Sequence, residues 1–280
     1  MQIIRVAHSP DSDDAFMYYG IASGAVRAEG IAFEQGLLDI ESANQAARGG
    51  GYHVTAISAA AYPHLADRYL LLDSGASMGD GYGPTVVVPE GARPRELADL
   101  AGKRIAVPGL RTSAFLALSL ELPRFEPVPM DFKAVGAAAK RGEVDAALLI
   151  HEGQLTAAAE GLRVVVDLGQ RWKARTGLPL PLGLNAIRRD LPAPVRAAVA
   201  RAWAESIAYG LDHRQEALRY ALTFARGLAP AQADRFVDMY VNDWTRDLGT
   251  RGRQAIAAFL EAAFDRGLLH RVRIEYQERG

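Results

Sequence analysis

Short β-rich runs alternate with helix-forming stretches through the first two-thirds of the chain, and this pattern narrows the possible folds most. Ile3–Ala7, Ile31–Leu38 and Val54–Ser58 read as strands, with helical composition over Asp13–Ser23 and Ile40–Arg48 between them. Such alternation is what parallel sheets with crossover helices require. Gly24 stands where a helix C-cap belongs, and Pro63 falls in the first turns after Ser58, where its missing N–H costs little.

A Gly-rich segment, 75–84, precedes a further strand, Thr85–Val88, and fits a crossing between lobes. A second α/β series follows: Arg95–Leu100, strand Arg104–Val107, helix Ser113–Leu120, strand Val128–Met130, helix Lys133–Arg141, and strands Asp145–Ile150 and Leu162–Asp167. Leu178–Gly183, with two prolines, reads as a second linker. From Ala193 onward the strand signal stops. Val195–Leu211, Gln215–Ala225, Ala231–Trp244 and Arg253–Arg266 have the composition of amphipathic helices, expected to pack back on the first lobe. With 280 residues, more than one compact core usually holds, the division predicted is a lobe formed by 1–84 and 184–280 and a second lobe over 85–183.

Composition excludes several functions. A formal charge of −1 with interspersed signs lacks the electrostatic footprint of a nucleic-acid binder. No run of apolar residues is long enough to span a bilayer, and the first apolar run stops at His8-Ser9-Pro10, short of a signal segment, so a cytoplasmic protein is expected. With no cysteine there is no disulfide framework, thiolate metal site or thiol nucleophile.

Three loops after strands carry the residues capable of chemistry, because ligands of open α/β sheets bind beyond the carboxyl ends of strands. His8-Ser9-Pro10-Asp11-Ser12-Asp13-Asp14 is the first. Three acids in four residues suit a metal or a nucleophilic carboxylate pair, but capping of the following helix by Ser12 or Asp13 is the main role expected. An EF-hand is excluded, since Phe16 and Ala22 stand where its Gly and Glu belong. In the second loop, Pro108–Phe115, Gly109 allows a tight turn, Arg111 brings positive charge, and Thr112 and Ser113 stand at a helix start suited to holding an anion.

Ile150-His151-Glu152-Gly153 is the third loop, with a histidine placed as a general base at a strand end. Histidine there is also commonly structural; His8, after the first strand, is the next candidate. The histidines at 53, 64, 213 and 270 show no zinc-ligand spacing. Gly-x-Ser-x-Gly and the nucleotide-binding glycine loops are missing. Ser9–Asp14, Ala56–Ser58, Thr112-Ser113 and His151 all follow strands and are expected to line one cleft around a small organic anion.

Gly102-Lys103-Arg104-Ile105-Ala106-Val107-Pro108-Gly109, Ile150-His151-Glu152, Val166–Gly169 and Thr176–Gly183 together resemble the 1,4-dihydroxy-6-naphthoate synthases of menaquinone biosynthesis by the futalosine route. Asp67-Arg68-Tyr69 and Gly81-Tyr82-Gly83-Pro84 agree as well, and the likeness runs from about Val6 to Asp190. The resemblance implies a two-lobed periplasmic-binding-protein-like (type II) fold and a carbon–carbon lyase of cyclic dehypoxanthinyl futalosine, with no metal or organic cofactor. It implies His151 as proton acceptor and substrate contacts from Ala56, Ile57, Ser58, Thr112 and Ser113; Ser9, Asp14 and Arg111 are added by position. Two departures stand out. Many family members read Ser-Pro-Cys-Pro-Asn-Asp-Thr-Phe in the first loop, where this chain has Ser9–Phe16 with Asp11 and Asp13, and many carry Lys where this chain has Ala56. A non-catalytic anion-binding protein and chorismate dehydratase are the alternative readings of the same fold. The missing signal and lipobox count against a transport role.

Overall fold

A computed structural model describes residues 1–151, 153–224 and 230–279. The opening is β1 (Gln2–His8), α1 (Ser12–Ala22), β2 (Ile31–Leu37), α2 (Ile40–Arg48) and β3 (Val54–Ser58), followed by β4 (Tyr69–Leu72) and β5 (Ser77–Gly79). A second series runs β6 (Thr85–Pro89), β7 (Arg104–Val107), α3 (Ser113–Glu121), β8 (Glu126–Pro129), α4 (Val135–Lys140), β9 (Ala146–Leu149), α5 (Gly153–Thr156), β10 (Leu162–Asp167) and α6 (Leu168–Thr176). Then come β11 (Leu180–Arg188), α7 (Ala193–Asp212), α8 (Arg214–Leu222), α9 (Pro230–Tyr240), α10 (Asp243–Arg246), α11 (Gly249–Asp265) and β12 (Tyr276–Gln277).

The strands form two sheets. One is ordered β12-β4-β11-β3-β1-β2, with β5 also on β11; the other is β10-β6-β9-β7-β8. β1 pairs in parallel with both β2 and β3, and β7 with both β8 and β9, so each sheet holds the parallel crossover units that the alternating pattern predicts. Period-two alternation divides the apolar side chains of the second sheet. Val86, Val88, Ile105 and Val107 join a core that extends to Tyr62 and Phe259, while Val87, Ala106 and Ala147 pack with Val135 and Ala138 of α4.

The segment read as a linker is the first half of β11. Leu184–Ile187 pair with β3, and Ala186 to Arg188 also with β4, so this strand lies inside the first sheet. Its proline is tolerated because Pro181 faces only the three-residue β5, where the register shifts before Gly183. β4, β5, α6 and β12 are further elements not read from the sequence. The stretch expected as one helix over Ala231–Trp244 is two, α9 and α10, the second opened by Asn242, whose side chain accepts the Trp244 N–H.

The C-terminal helices pack on the first sheet as expected. Phe16 and Met17 of α1 share a core with Val199, Trp203 and Ile207 of α7 and Val237 of α9. α1 and α7 meet at Gly20, where a Cβ would lie 2.7 Å from the Ser206 Cα. Ser206 accepts the Ile21 N–H at 3.1 Å and donates to the Met17 carbonyl at 2.8 Å, which fixes α1 and the acidic loop at its start. No described helix is long and apolar enough to cross a membrane.

Candidate active site

A cavity of about 90 Å³ lies between the two sheets, walled by the loops after β1, β7 and β9, by the end of β3, by β11 and by α9. Ser9, Asp13, Asp14, Ala56, Ser58 and Thr112 line it, as do Ser113 and His151. Ile57 does not: along β3 successive side chains point to opposite faces, and Ile57 is fully buried in the core. Arg111 is also outside the lining, its guanidinium 3.3 Å from Glu41 at the rim.

The capping expected of Ser12 or Asp13 is not how α1 begins. Asp11 occupies the N-cap position, yet its side chain makes no cap bond. Instead its Oδ2 lies 3.3 Å from His151 Nδ1, joining the loop after β1 to the loop after β9. Both side chains are largely buried. The His151 ring also stands edge-on to Phe132, with centroids 5.1 Å apart. His151 has φ +53°, the single left-handed non-glycine residue among those described. This conformation costs a side-chain-bearing residue about 1 kcal/mol and concentrates at functional sites. Glu152, the next residue of the motif, lies outside the described residues.

His8 is differently placed. Nearly fully buried, it has Nδ1 2.6 Å from the Ser9 carbonyl and Nε2 2.7 Å from Gln35 Nε2, and it is not part of the cavity wall. Burial holds its pKa below the ordinary value, against the pull of Asp14 and the Ser9 carbonyl. The neutral ring then donates from Nδ1 to Ser9 and accepts at Nε2 from Gln35. Burial likewise raises the pKa of Asp14, opposed by His8 and by the Ser9 N–H, which it accepts at 2.8 Å. Asp11 N–H donates to Ser9 Oγ, and Asp13 accepts from Ser77 Oγ at 3.3 Å.

Hydroxyl groups in the wall are held by backbone and amide partners. Ser58 accepts from Asn44 Nδ2 at 3.0 Å and its N–H donates to Asn44 Oδ1 at 2.8 Å, so the buried Asn44 of α2 sets the Ser58 orientation. Thr112 caps α3 by accepting the Phe115 N–H and donates to the Gly109 carbonyl, so its hydroxyl serves the fold. Ser113 Oγ donates to the Leu182 carbonyl at 2.6 Å and accepts the Ala60 N–H, tying α3 to the first sheet. What α3 presents to the cavity is its first turn, at Ser113 and Ala114, where helix N–H groups lack intrahelical acceptors.

Sequence reasoning missed Asn185, Gln154 and Tyr240 in the wall. Gln154 and Tyr240 face each other, amide to hydroxyl, at 3.1 Å, and burial raises the Tyr240 pKa above its ordinary value. The signal for Asn185 was a lone amide inside the apolar run Leu180–Ile187. Among the described residues, none of those lining the cavity is Lys or Arg, and no group of three or more His, Asp or Glu is arranged to hold a metal ion.

Comparison with known proteins agrees with this architecture. The family model for menaquinone biosynthesis matches residues 4–265. A 1,4-dihydroxy-6-naphtoate synthase of Thermus thermophilus is 40% identical over 268 residues, 96% of either chain. The synthase of the same name from Streptomyces coelicolor is 34% identical over 95% of this chain and 94% of its own. Among solved structures, an Archaeoglobus fulgidus protein superposes with a TM-score of 0.90 at 48% identity, covering 95% of this chain and 98% of that one. The alkanesulfonate-binding protein of Xanthomonas axonopodis bound to MOPS has a TM-score of 0.72 at 16% identity, covering 96% and 94%, a likeness of fold alone. The fold is therefore the two-lobed, periplasmic-binding-protein-like one, and the chain belongs to the menaquinone-biosynthesis family.

Proposed function

We propose that this chain is a carbon–carbon lyase that converts cyclic dehypoxanthinyl futalosine to 1,4-dihydroxy-6-naphthoate, with His151 as general base. The observation that carries the reading is the pairing of Asp11 with His151, which lines the cavity between the two sheets, in a chain 40% identical to a protein named for that product. A carboxylate beside Nδ1 favours the tautomer with its proton there and puts the acceptor lone pair on Nε2. Nε2 takes a proton from the sugar-derived part of the substrate. The electron pair left behind forms a new double bond within the sugar-derived part as the carbon–carbon bond to the ring system breaks; the pair of that bond passes into the ring, and aromatisation drives the step. Asp11 acts through His151 as a positioning residue and stabilises the imidazolium formed.

The two lobes, residues 1–84 with 184–280 and residues 85–183, close on the substrate and exclude water. The reaction uses no resident cofactor and takes place in the cytoplasm on an anionic substrate. The test is to incubate the purified protein with cyclic dehypoxanthinyl futalosine and measure 1,4-dihydroxy-6-naphthoate by chromatography. Stoichiometric binding without product makes the chain a binding protein of the same fold. Conversion of chorismate in place of cyclic dehypoxanthinyl futalosine makes it a chorismate dehydratase.

A further inference from the structure

The floor of the cavity, formed where β11 lies beside β3, has an excess of hydrogen-bond acceptors. Asn185 and Ala56 are register partners there, and both line the cavity. Asn185 is 2% exposed; its Nδ2 donates to the Gly75 carbonyl at 2.7 Å, while its Oδ1 is buried and has no hydrogen-bond partner. A buried acceptor left in that state is costly, so it marks a place where a ligand donor is wanted. Two residues along from Gly75, Ser77 holds the Asp13 carboxylate. Both acceptors are thus tethered through one short segment, residues 75–77.

We propose that this floor is a hydroxyl subsite, in which Asn185 Oδ1 and the Asp13 carboxylate accept hydrogen bonds from neighbouring hydroxyls of the ligand's sugar-derived part. The ligand's carboxylate is not held there: none of the described lining residues is Lys or Arg, and a carboxylate beside Asp13 would meet a like charge. A neutral hydroxyl is also a donor that Asp13 already takes, from Ser77 Oγ. The wall at Ser113 and Ala114, the first turn of α3, is where the anionic end of the ligand belongs. The subsite rests on the lyase reading for the identity of the ligand.

The test uses wild type, Asn185→Leu and Asp13→Asn. Asn185→Leu removes both the acceptor and the donor to Gly75; Asp13→Asn keeps an oxygen for Ser77 and serves if the first variant does not fold. Steady-state kinetics with cyclic dehypoxanthinyl futalosine are compared with calorimetric affinity for 1,4-dihydroxy-6-naphthoate, which lacks the sugar-derived part. The expected result is a KM raised about tenfold in each variant with product affinity unchanged. Equal weakening of substrate and product, or no change in either, overturns the subsite. If wild type neither converts the one nor binds the other, the lyase reading falls and thermal shifts with excess D-ribose decide the subsite. Stabilisation of wild type but of neither variant supports it, and equal shifts, or none, overturn it.

Discussion

Asp11 Oδ2 lies 3.3 Å from His151 Nδ1, and the two residues follow strands of different sheets. The pair joins the loops of the two sheets, and in the proposed mechanism it aligns the base. Asp11→Asn keeps the shape of the side chain and removes the carboxylate. It is expected to lower kcat at least tenfold, with a smaller loss than the roughly 10²–10⁴-fold of removing the base itself and with KM little changed. Steady-state rates on the variant check this; an unchanged kcat separates Asp11 from the reaction.

The packing of α1 on α7 is testable at Gly20. Alanine there gains helix propensity of about 0.5–1 kcal/mol, but its Cβ would meet the Ser206 Cα at 2.7 Å and the Ser206 backbone oxygen at 3.0 Å. Backbone cannot yield as a side-chain tip does, and overpacking costs about 1–3 kcal/mol. Gly20→Ala is expected to melt below wild type in differential scanning calorimetry. A variant at or above wild-type Tm would show that the helices separate freely.

Burial keeps the His8 pKa below 6.5 in the folded protein. The unfolded chain then binds more protons at this site, so its contribution to stability is lost as pH falls below about 6.5. His53 and His64, also lowered by burial, act with the same sign, and Asp14, raised by burial, with the opposite one. His53 and His64 are common to both proteins when wild type is compared with His8→Gln, whose amide can serve Ser9 and Gln35 without charging; Asp14, freed from the opposing His8, is raised further in the variant, which also lessens the acid-side loss. Urea melts at neutral pH and at roughly pH 5 are expected to show a smaller acid-side loss in the variant. Equal losses would place the titration elsewhere.

Much of the framework was legible because backbone rules are local. The boundaries of α2, β3, β7 and β10 follow from apolar runs closed by glycine, proline or a capping residue such as Asp39, which accepts the Ser42 N–H. Ser9, Asp14, Thr112, Ser113 and His151 could be placed at the cleft because each follows a strand, and Ala56 and Ser58 because they lie at the carboxyl end of one. The partner of Asp11 could not be read, since an acid at a helix start has a local use as a cap and only the tertiary fold brings His151 to it. Arg111 was misplaced for the same kind of reason: its charge is answered by Glu41, 70 positions away in the chain. Ile57 was misplaced by treating a strand segment as one unit, when its alternation puts neighbours on opposite faces.

Turnover is expected to survive exhaustive treatment with EDTA, because the proposed chemistry needs a base and a positioning acid and no Lewis acid. The check is the product-forming rate before and after chelation and gel filtration. Loss of activity restored by one divalent metal would contradict the proposed mechanism.

Single-turnover kinetics of His151→Asn, with thermal stability measured on the same sample, test the central claim most directly. As the base, His151 contributes roughly 10²–10⁴-fold to the chemical step, so the variant should bind cyclic dehypoxanthinyl futalosine, melt near wild type and form product slower by that factor. A variant that melts clearly lower yet turns over at the wild-type rate would make His151 a structural residue and contradict the mechanism.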